Sequence, residues 1–396
     1  MSNTLNLGNG KWARKKGSLL AYNSENNNYK PLPFTFERDS VATRVNKQGL
    51  IETVGADQPR IDYLNDSNGA LLLEPQSTNL YLYSEPTTNE GSAGGVTYES
   101  FNWAIGFTNC VKYGDNSAVR YRYGGTVLAS TEYTLSAFVI MDDLSEPIIG
   151  GQTSDKDFSL VLGGSVVNPN SSVNMGNNIW RFSSTAITSA SPNVGNNGII
   201  KYTQQSNKGF RVVGWQLEAG SYATSYIPTQ GSAVTRLSDS CLKEDINTSI
   251  INSSYPFSMY AESTYIGSNR YLLSFAKKTT SNNYYVITII SNEVILDARA
   301  NGSSEFIGSG VTLVDGQKFK VAVTMENATS GKICVNGNTV VSKTNFSNQA
   351  VNNEINDLLL GQLRTVSDTG DRLPVTDVRL YNTALTDQEL AALTTI

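Results

Sequence analysis

The residues with the types and spacing to do chemistry here are aromatic side chains set among hydroxyls and carboxamides. Arg120-Tyr121-Arg122-Tyr123 alternates, so an extended backbone sends both tyrosines to one face and both arginines to the other. Trp103 and Trp180 lie in the same stretch of chain, while Tyr284, Tyr285 and Arg364 form a second aromatic and cationic group further on. A sugar is recognised by a ring packed on its C–H face, with amides, hydroxyls and carboxylates bonding its hydroxyls. These residues are the candidate glycan contacts. The competing reading for each is burial as core, most of all for Trp180 and for Trp215.

Other chemistries are narrower. The chain has no histidine, which excludes Ser-His-Asp and Cys-His nucleophile systems and any imidazole ligand. Cys110, Cys241 and Cys334 are far apart and unpatterned, so they read as small buried thiols of a chain folded in a reducing cell rather than as a disulfide framework. Residues 365–371, TVSDTGD, carry Asp368 and Asp371 three apart; an oxygen-rich loop of this kind is a candidate calcium site, though hard cations usually need more ligands than two. No other cofactor is expected. Glycoside hydrolysis needs two converging carboxylates, and the spacing of Glu132, Asp142, Asp143, Glu218, Glu262 and Asp297 selects no pair. The expectation is therefore a binding protein, not an enzyme, with a polysaccharide depolymerase as the minor alternative.

Composition sets the frame for these residues. With 30 Lys+Arg against 35 Asp+Glu in 396 residues, the net charge of −5 argues against a nucleic-acid-binding body. The basic cluster Lys11, Arg14, Lys15 and Lys16 around Trp12 is too small for a nucleic-acid arm. No apolar run approaches the ~20 residues of a membrane helix, and the first residues lack a signal-peptide stretch, so a soluble protein that is not exported by the general route is expected. Abundant Ser, Thr, Asn and Gly beside 20 tyrosines fit strands joined by many turns.

The elements that must position the candidates follow from periodicity. Residues 1–33 show no sustained period and end in Pro31-Leu32-Pro33, which reads as an extended arm. Residues 34–84 form a small β-rich module. Residues 85–236 read as a β-sandwich whose clearest strand is Glu132–Met141, with further strands at 158–162, 179–183 and 210–218. Residues 237–396 read as a second sandwich, with hairpins turning at Ser291-Asn292 and at Asn336-Gly337-Asn338. Residues 318–326 alternate like a half-solvated strand, and a short helix at 386–393 opens with a Thr386/Glu389 capping box. The fold class expected is all-β: two antiparallel jelly-roll sandwiches in tandem.

Several motifs carry resemblances. Residues 38–43 (Arg-Asp-Ser-Val-Ala-Thr), 49–52 (Gly-Leu-Ile-Glu), 59–63 (Pro-Arg-Ile-Asp-Tyr) and 71–80 (Leu-Leu-Leu-Glu-Pro-Gln-Ser-Thr-Asn-Leu) together resemble a module of bacteriophage virion proteins. The run from Gly214 to Gly220, with Gln216-Leu217-Glu218, and then Ser225-Tyr226-Ile227-Pro228-Thr229, is similar to the closing strand of phage-encoded carbohydrate-binding-type jelly rolls. The last unit, through Leu360-Gly361, residues 378–382 and 385–390, resembles concanavalin-A-like, laminin-G-type sandwiches. These resemblances imply a head or tail fibre or capsid-decoration subunit on the virion surface, synthesised in the host cytoplasm. Its partners would be capsid or tail proteins, bound through the arm with Trp12, Arg14, Lys15 and Lys16, and host surface glycans. A homo-oligomer, trimer or dimer, would be usual, with no nucleic acid and no membrane insertion. A purely structural decoration protein is the other reading.

Overall fold

The computed structural model describes residues 4–7, 12–23, 27–88, 91–101, 106–246, 255–267, 270–276, 283–300, 302–346, 355–363 and 373–396. Among them the chain is strand almost throughout, with one helix, Asp387–Thr394, so the all-β expectation holds. Contacts divide the chain into two units. The first is Met1–Val41, Val54–Pro75 and Leu237–Ile396; the second is Ala42–Thr53 and Gln76–Arg236.

The first unit is a sandwich of an eight-stranded and a nine-stranded sheet, counted over the described residues. The nine-stranded sheet runs in space from Trp12–Lys15 through Ser18–Asn23, Asn28–Glu37, Ser240–Lys243, Asp357–Leu360, Arg270–Ala276, Tyr284–Ile290 and Glu293–Ala300 to Ser303–Thr312. The eight-stranded sheet sets Phe257–Thr264 between Lys318–Asn327 and Leu373–Tyr381, with Ala70–Leu73 and Arg60–Asp62 continuing beyond Leu373–Tyr381. Alternate side chains of both sheets meet in one core: Phe34, Phe36, Cys241, Phe275 and Tyr285 from one, Ile61, Leu71, Met259, Val321 and Val378 from the other.

This arrangement corrects the division read from the sequence. The expected arm at 1–33 and the module at 34–84 are not separate bodies. Thr4–Leu7 pairs antiparallel with Leu373–Tyr381, and Glu37 and Phe36 stand opposite Ser240 and Cys241. Trp12, expected on an attachment surface, is 4% exposed and its indole N–H donates to the Thr376 carbonyl at 2.8 Å. The physical reason is that these strands have too little apolar surface for a core of their own, and complete one whose other half lies over 200 residues away. Arg14 is half-buried, while Lys15 and Lys16 remain exposed beside the turn at Gly17, which has φ +67°.

The second unit packs a five-stranded sheet on a six-stranded one, again among the described residues. Ser92–Gly94, Arg120–Tyr123, Gly198–Lys201, Ser159–Leu162 and Ser165–Val167 make the first; Glu132–Met141 lies central in the second, between Phe210–Ala219 and Trp180–Ile187. Their shared core holds Tyr133, Leu135, Ala137, Val139 and Met141, the face expected from the alternation, against Leu160, Ile199 and Trp215. Phe138, on the opposite face, is also buried, with Phe107 at 5.2 Å and Tyr226 at 5.6 Å between ring centroids.

Local signals were accurate at the turns and the helix. Ser291 and Asn292 take φ 50° and 68°, as a two-residue hairpin loop requires. The capping box is formed: Glu389 N donates to Thr386 Oγ1 at 3.3 Å and Thr386 N to Glu389 Oε2 at 2.7 Å. Lys318–Asn327 departs from the half-solvated reading, because Leu390 of the helix packs on Tyr260, Ala322 and Cys334 and buries the outward face too.

Candidate functional site

In the second unit, Arg120–Tyr123 forms a strand of the five-stranded sheet, and its alternation sorts the four side chains as expected. Arg122 points inward, its guanidinium 5.4 Å from the centroid of the buried Trp215 ring. Arg120, on the same side, is tied off at the strand end: Nε donates to the Asp115 carbonyl at 2.9 Å, and Nη2 lies 3.1 Å from Asp115 Oδ1. Hydrogen bonds from Ser117 and Arg120 hold the Asp115 carboxyl down at about 2.

Tyr121 and Tyr123 take the outward side. Both are half-buried, and their rings stack at 5.0 Å with 24° between planes. Gly94, opposite Tyr121 on the neighbouring strand, leaves room for the ring: a Cβ there would stand 2.6 Å from Tyr121 Cε1. Burial, with Tyr202 and Tyr121 nearby, pushes the Tyr123 phenol up to about 12, so at neutral pH it is a hydroxyl able to donate and accept. The result is a paired aromatic surface with phenol oxygens, the arrangement needed to cover an apolar C–H face and bond the hydroxyls around it.

The other candidates are dispersed. Trp180 lies on the six-stranded sheet, partly buried against the core and stacked on Phe182 at 6.4 Å, so it does not join the tyrosine pair. Tyr285 is 1% exposed in the core of the first unit, which removes it as a ligand contact. Tyr284 faces the other way but is also buried, donating to Asp297 Oδ2 at 3.0 Å beneath the Arg299 guanidinium at 5.9 Å. Adjacent residues of a strand cannot share a face, and both faces of this one are covered. Trp103, Arg364, Asp368 and Asp371 lie outside the described residues. Of the carboxylates considered for catalysis, Asp142 pairs with Arg211, Asp143 with Lys208 at 2.9 Å, and Glu218 is buried.

The sequence motifs resolve into buried polar networks. Glu218 accepts from Ser77 Oγ at 2.6 Å and Thr224 N at 3.1 Å. Asn79 accepts from Tyr81 N and Leu217 N, both at 3.1 Å, and donates to the Ile227 carbonyl at 2.9 Å. Gln216 accepts from Ile227 N at 2.6 Å. These side chains stitch the closing strand of the second unit to the segment that begins it. In the first unit, Arg38, Arg60, Glu74 and Asp239 are all buried and ion-paired, with Arg60 Nη1 at 2.7 Å from Glu74 Oε2. Burial alone would lower the Arg60 pKa, but Asp239 and Glu74 raise it, so its charge is secure.

Residues 242–391 match a family model described as the concanavalin A-like lectin/glucanases superfamily, of the laminin-G type. The first unit thus contains a concanavalin A-like lectin/glucanase domain, to which the strands of Met1–Val41 and Val54–Pro75 are added. Comparison with curated proteins finds no match. Among solved structures, the CBM40 of a Ruminococcus gnavus IT-sialidase is similar at 16% identity and a TM-score of 0.31, over 36% of this chain and 82% of that one. Domain 4 of AbnA, a GH43 extracellular arabinanase from Geobacillus stearothermophilus in complex with arabinotriose, is similar at 15% identity and 0.31, over 45% and 84%. A heptameric SAP-like pentraxin from Limulus polyphemus is similar at 12% identity and 0.29, over 35% and 69%.

Proposed function

We propose that the protein is a glycan-binding subunit of a virion surface structure, a bacteriophage head or tail fibre or decoration protein, acting by adhesion and not by catalysis. The observation that carries the glycan reading is the half-buried, stacked Tyr121/Tyr123 pair on the outward side of the five-stranded sheet. The concanavalin A-like match at 242–391 supports the same class of ligand. The virion reading is supported by the motifs at 38–80 and 214–229. Attachment to a particle would use exposed residues such as Lys15 and Lys16, not Trp12, and copies assembled as a dimer or trimer would offset weak single-site affinity. Any calcium requirement would fall to Asp368 and Asp371.

The test is full-length protein on a broad glycan array, wild type beside a Tyr121→Ala/Tyr123→Ala variant. Binding by wild type and at least tenfold loss in a variant with unchanged circular dichroism is expected. A correctly folded wild type that binds no glycan on the array sinks the reading. The purely structural alternative has one observation in its favour: motif residues Arg38, Arg60, Glu74, Asn79 and Glu218 are all buried, so the motif itself reports folding and not a surface. Particles that adsorb normally but fall apart when the protein is absent would decide for it.

A further inference from the structure

The second unit holds a concavity that the tyrosine pair does not touch. It has a volume of about 510 Å³, within the ~300–1,000 Å³ range of small-molecule sites, and is bounded by the 42–53 hairpin, residues 83–87, residues 106–109 and residues 226–230. Its lining is built from oxygen-bearing side chains, chief among them Glu85 and Thr229.

One polar group of that lining has acceptor capacity to spare, and a second is unmatched among the described residues. Glu85 Oε1 accepts from Thr108 N at 2.5 Å, Thr108 Oγ1 at 2.6 Å, Asn109 N at 2.7 Å and Asn109 Nδ2 at 3.2 Å. Every one of these donors goes to the same oxygen, so Oε2 keeps its acceptor capacity among the described residues. Thr229, 6% exposed, has a buried hydroxyl without a hydrogen-bond partner, although its own N–H donates to Ser84 Oγ at 2.8 Å. A buried hydroxyl left unmatched is uncommon in a native fold and marks a place where a water or a ligand hydroxyl would complete the bonding.

Charge narrows the ligand. Glu52 and Glu85 line the cleft and no Lys or Arg does, while Glu52 is already paired with Arg44 at 2.6 Å. An anionic ligand would meet carboxylates with no cation in the lining to offset them. The Tyr83 ring is half-buried at the cleft wall and offers an apolar face. From these observations we infer that the cleft is a second saccharide site, selective for neutral sugars, whose hydroxyls donate to Glu85 Oε2 and pair with Thr229 Oγ1. The inference takes only its ligand class from the glycan-binding reading; its residues are independent of Tyr121 and Tyr123.

The experiment uses the full chain in the Tyr121→Ala/Tyr123→Ala background, so that what remains is the cleft. Saturation-transfer NMR and calorimetry are run with neutral methyl hexopyranosides and methyl pentopyranosides, with sialic acid, and with calcium chloride. Residual binding of a neutral glycoside is expected, falling at least fivefold with Glu85→Gln and with Thr229→Val, and with sialic acid weaker by tenfold or more. Thr53→Trp, which fills the cleft from an exposed lining position and leaves the buried hydrogen bonds in place, is to abolish it. Complete loss of glycoside binding in the double-alanine background overturns the second site while leaving the first intact. So does residual binding indifferent to Thr53→Trp, equal binding of sialic acid, or a response to calcium alone.

Discussion

Arg38 Nη1 donates to Asp239 Oδ1 at 3.0 Å across 201 positions of sequence, with both side chains fully shielded from solvent. Asp239 Oδ2 takes Arg60 and the Glu74 N–H, while Arg38 Nη2 donates to the Gly55 carbonyl at 2.6 Å and Nη1 to that of Gln58 at 3.1 Å. Two guanidinium groups and two carboxylates therefore balance inside the first unit. Asp239→Ala leaves two buried cations against one carboxylate and is expected to cost about 3–5 kcal/mol, read as a lowered urea midpoint. A change below about 1 kcal/mol would show that the network carries no such strain.

A fragment of residues 237–396 covers the family match but lacks the strands that pair with it. Ser240–Lys243 loses Asn28–Glu37, and Leu373–Tyr381 loses Ala70–Leu73 and Thr4–Leu7. The fragment is expected to show no cooperative thermal transition and to bind a dye for exposed apolar surface. A sharp transition would mean that the N-terminal strands are accessory to this fold.

Gly94 is the smallest handle on the tyrosine pair. Gly94→Val puts carbon where Tyr121 now lies, so the ring must move, while an exposed edge strand of three residues bears the change. Glycan binding is expected to fall tenfold or more with less than about 1 kcal/mol lost in stability. Undiminished binding would remove Tyr121 from the contact.

The Asn79 and Glu218 contacts predict stability losses without loss of a surface. Asn79→Ala leaves the N–H groups of Tyr81 and Leu217 unpaired in the interior, at about 1–3 kcal/mol for each. Glu218→Ala similarly releases Ser77 and Thr224. Calorimetry of both variants checks this; full stability of Asn79→Ala would require replacement of its contacts by water.

Alkaline pH should unfold the protein through buried acids. Burial, followed by the nearby Glu99, raises the Cys110 thiol from 9.0 to about 11, and burial also raises Cys241, Tyr113 and Tyr260. For each, the unfolded chain releases its proton first, so the folded state binds more protons and stability falls as pH rises. Stability is expected to be level near pH 7–8 and to decline above about pH 9, the ordinary thiol range. A midpoint constant up to pH 11 would contradict this assignment.

What was legible in the sequence was local. Period-two alternation gave Glu132–Met141 and the sorting of Arg120–Tyr123, and turn residues gave the Ser291-Asn292 hairpin. The Thr386/Glu389 spacing gave the capped helix. Each depends on backbone geometry within a few residues, which sequence encodes directly. Most strands of the second unit were legible for the same reason, since they pair largely within Gln76–Arg236; its Ala42–Thr53 portion was not.

Only the tertiary structure decided the rest. Trp12 and Tyr285 are core because strands distant in sequence lie against them, and Arg38, Arg60, Glu74 and Asp239 are partners because the folded sheets bring them together. Glu85 and Thr229 carry no motif that would mark them as ligand contacts; they share a cleft, and the Thr229 hydroxyl lacks a partner there, only once their neighbours are placed. Burial and pairing are sums over many contacts at long sequence separation, and no window along the chain contains them.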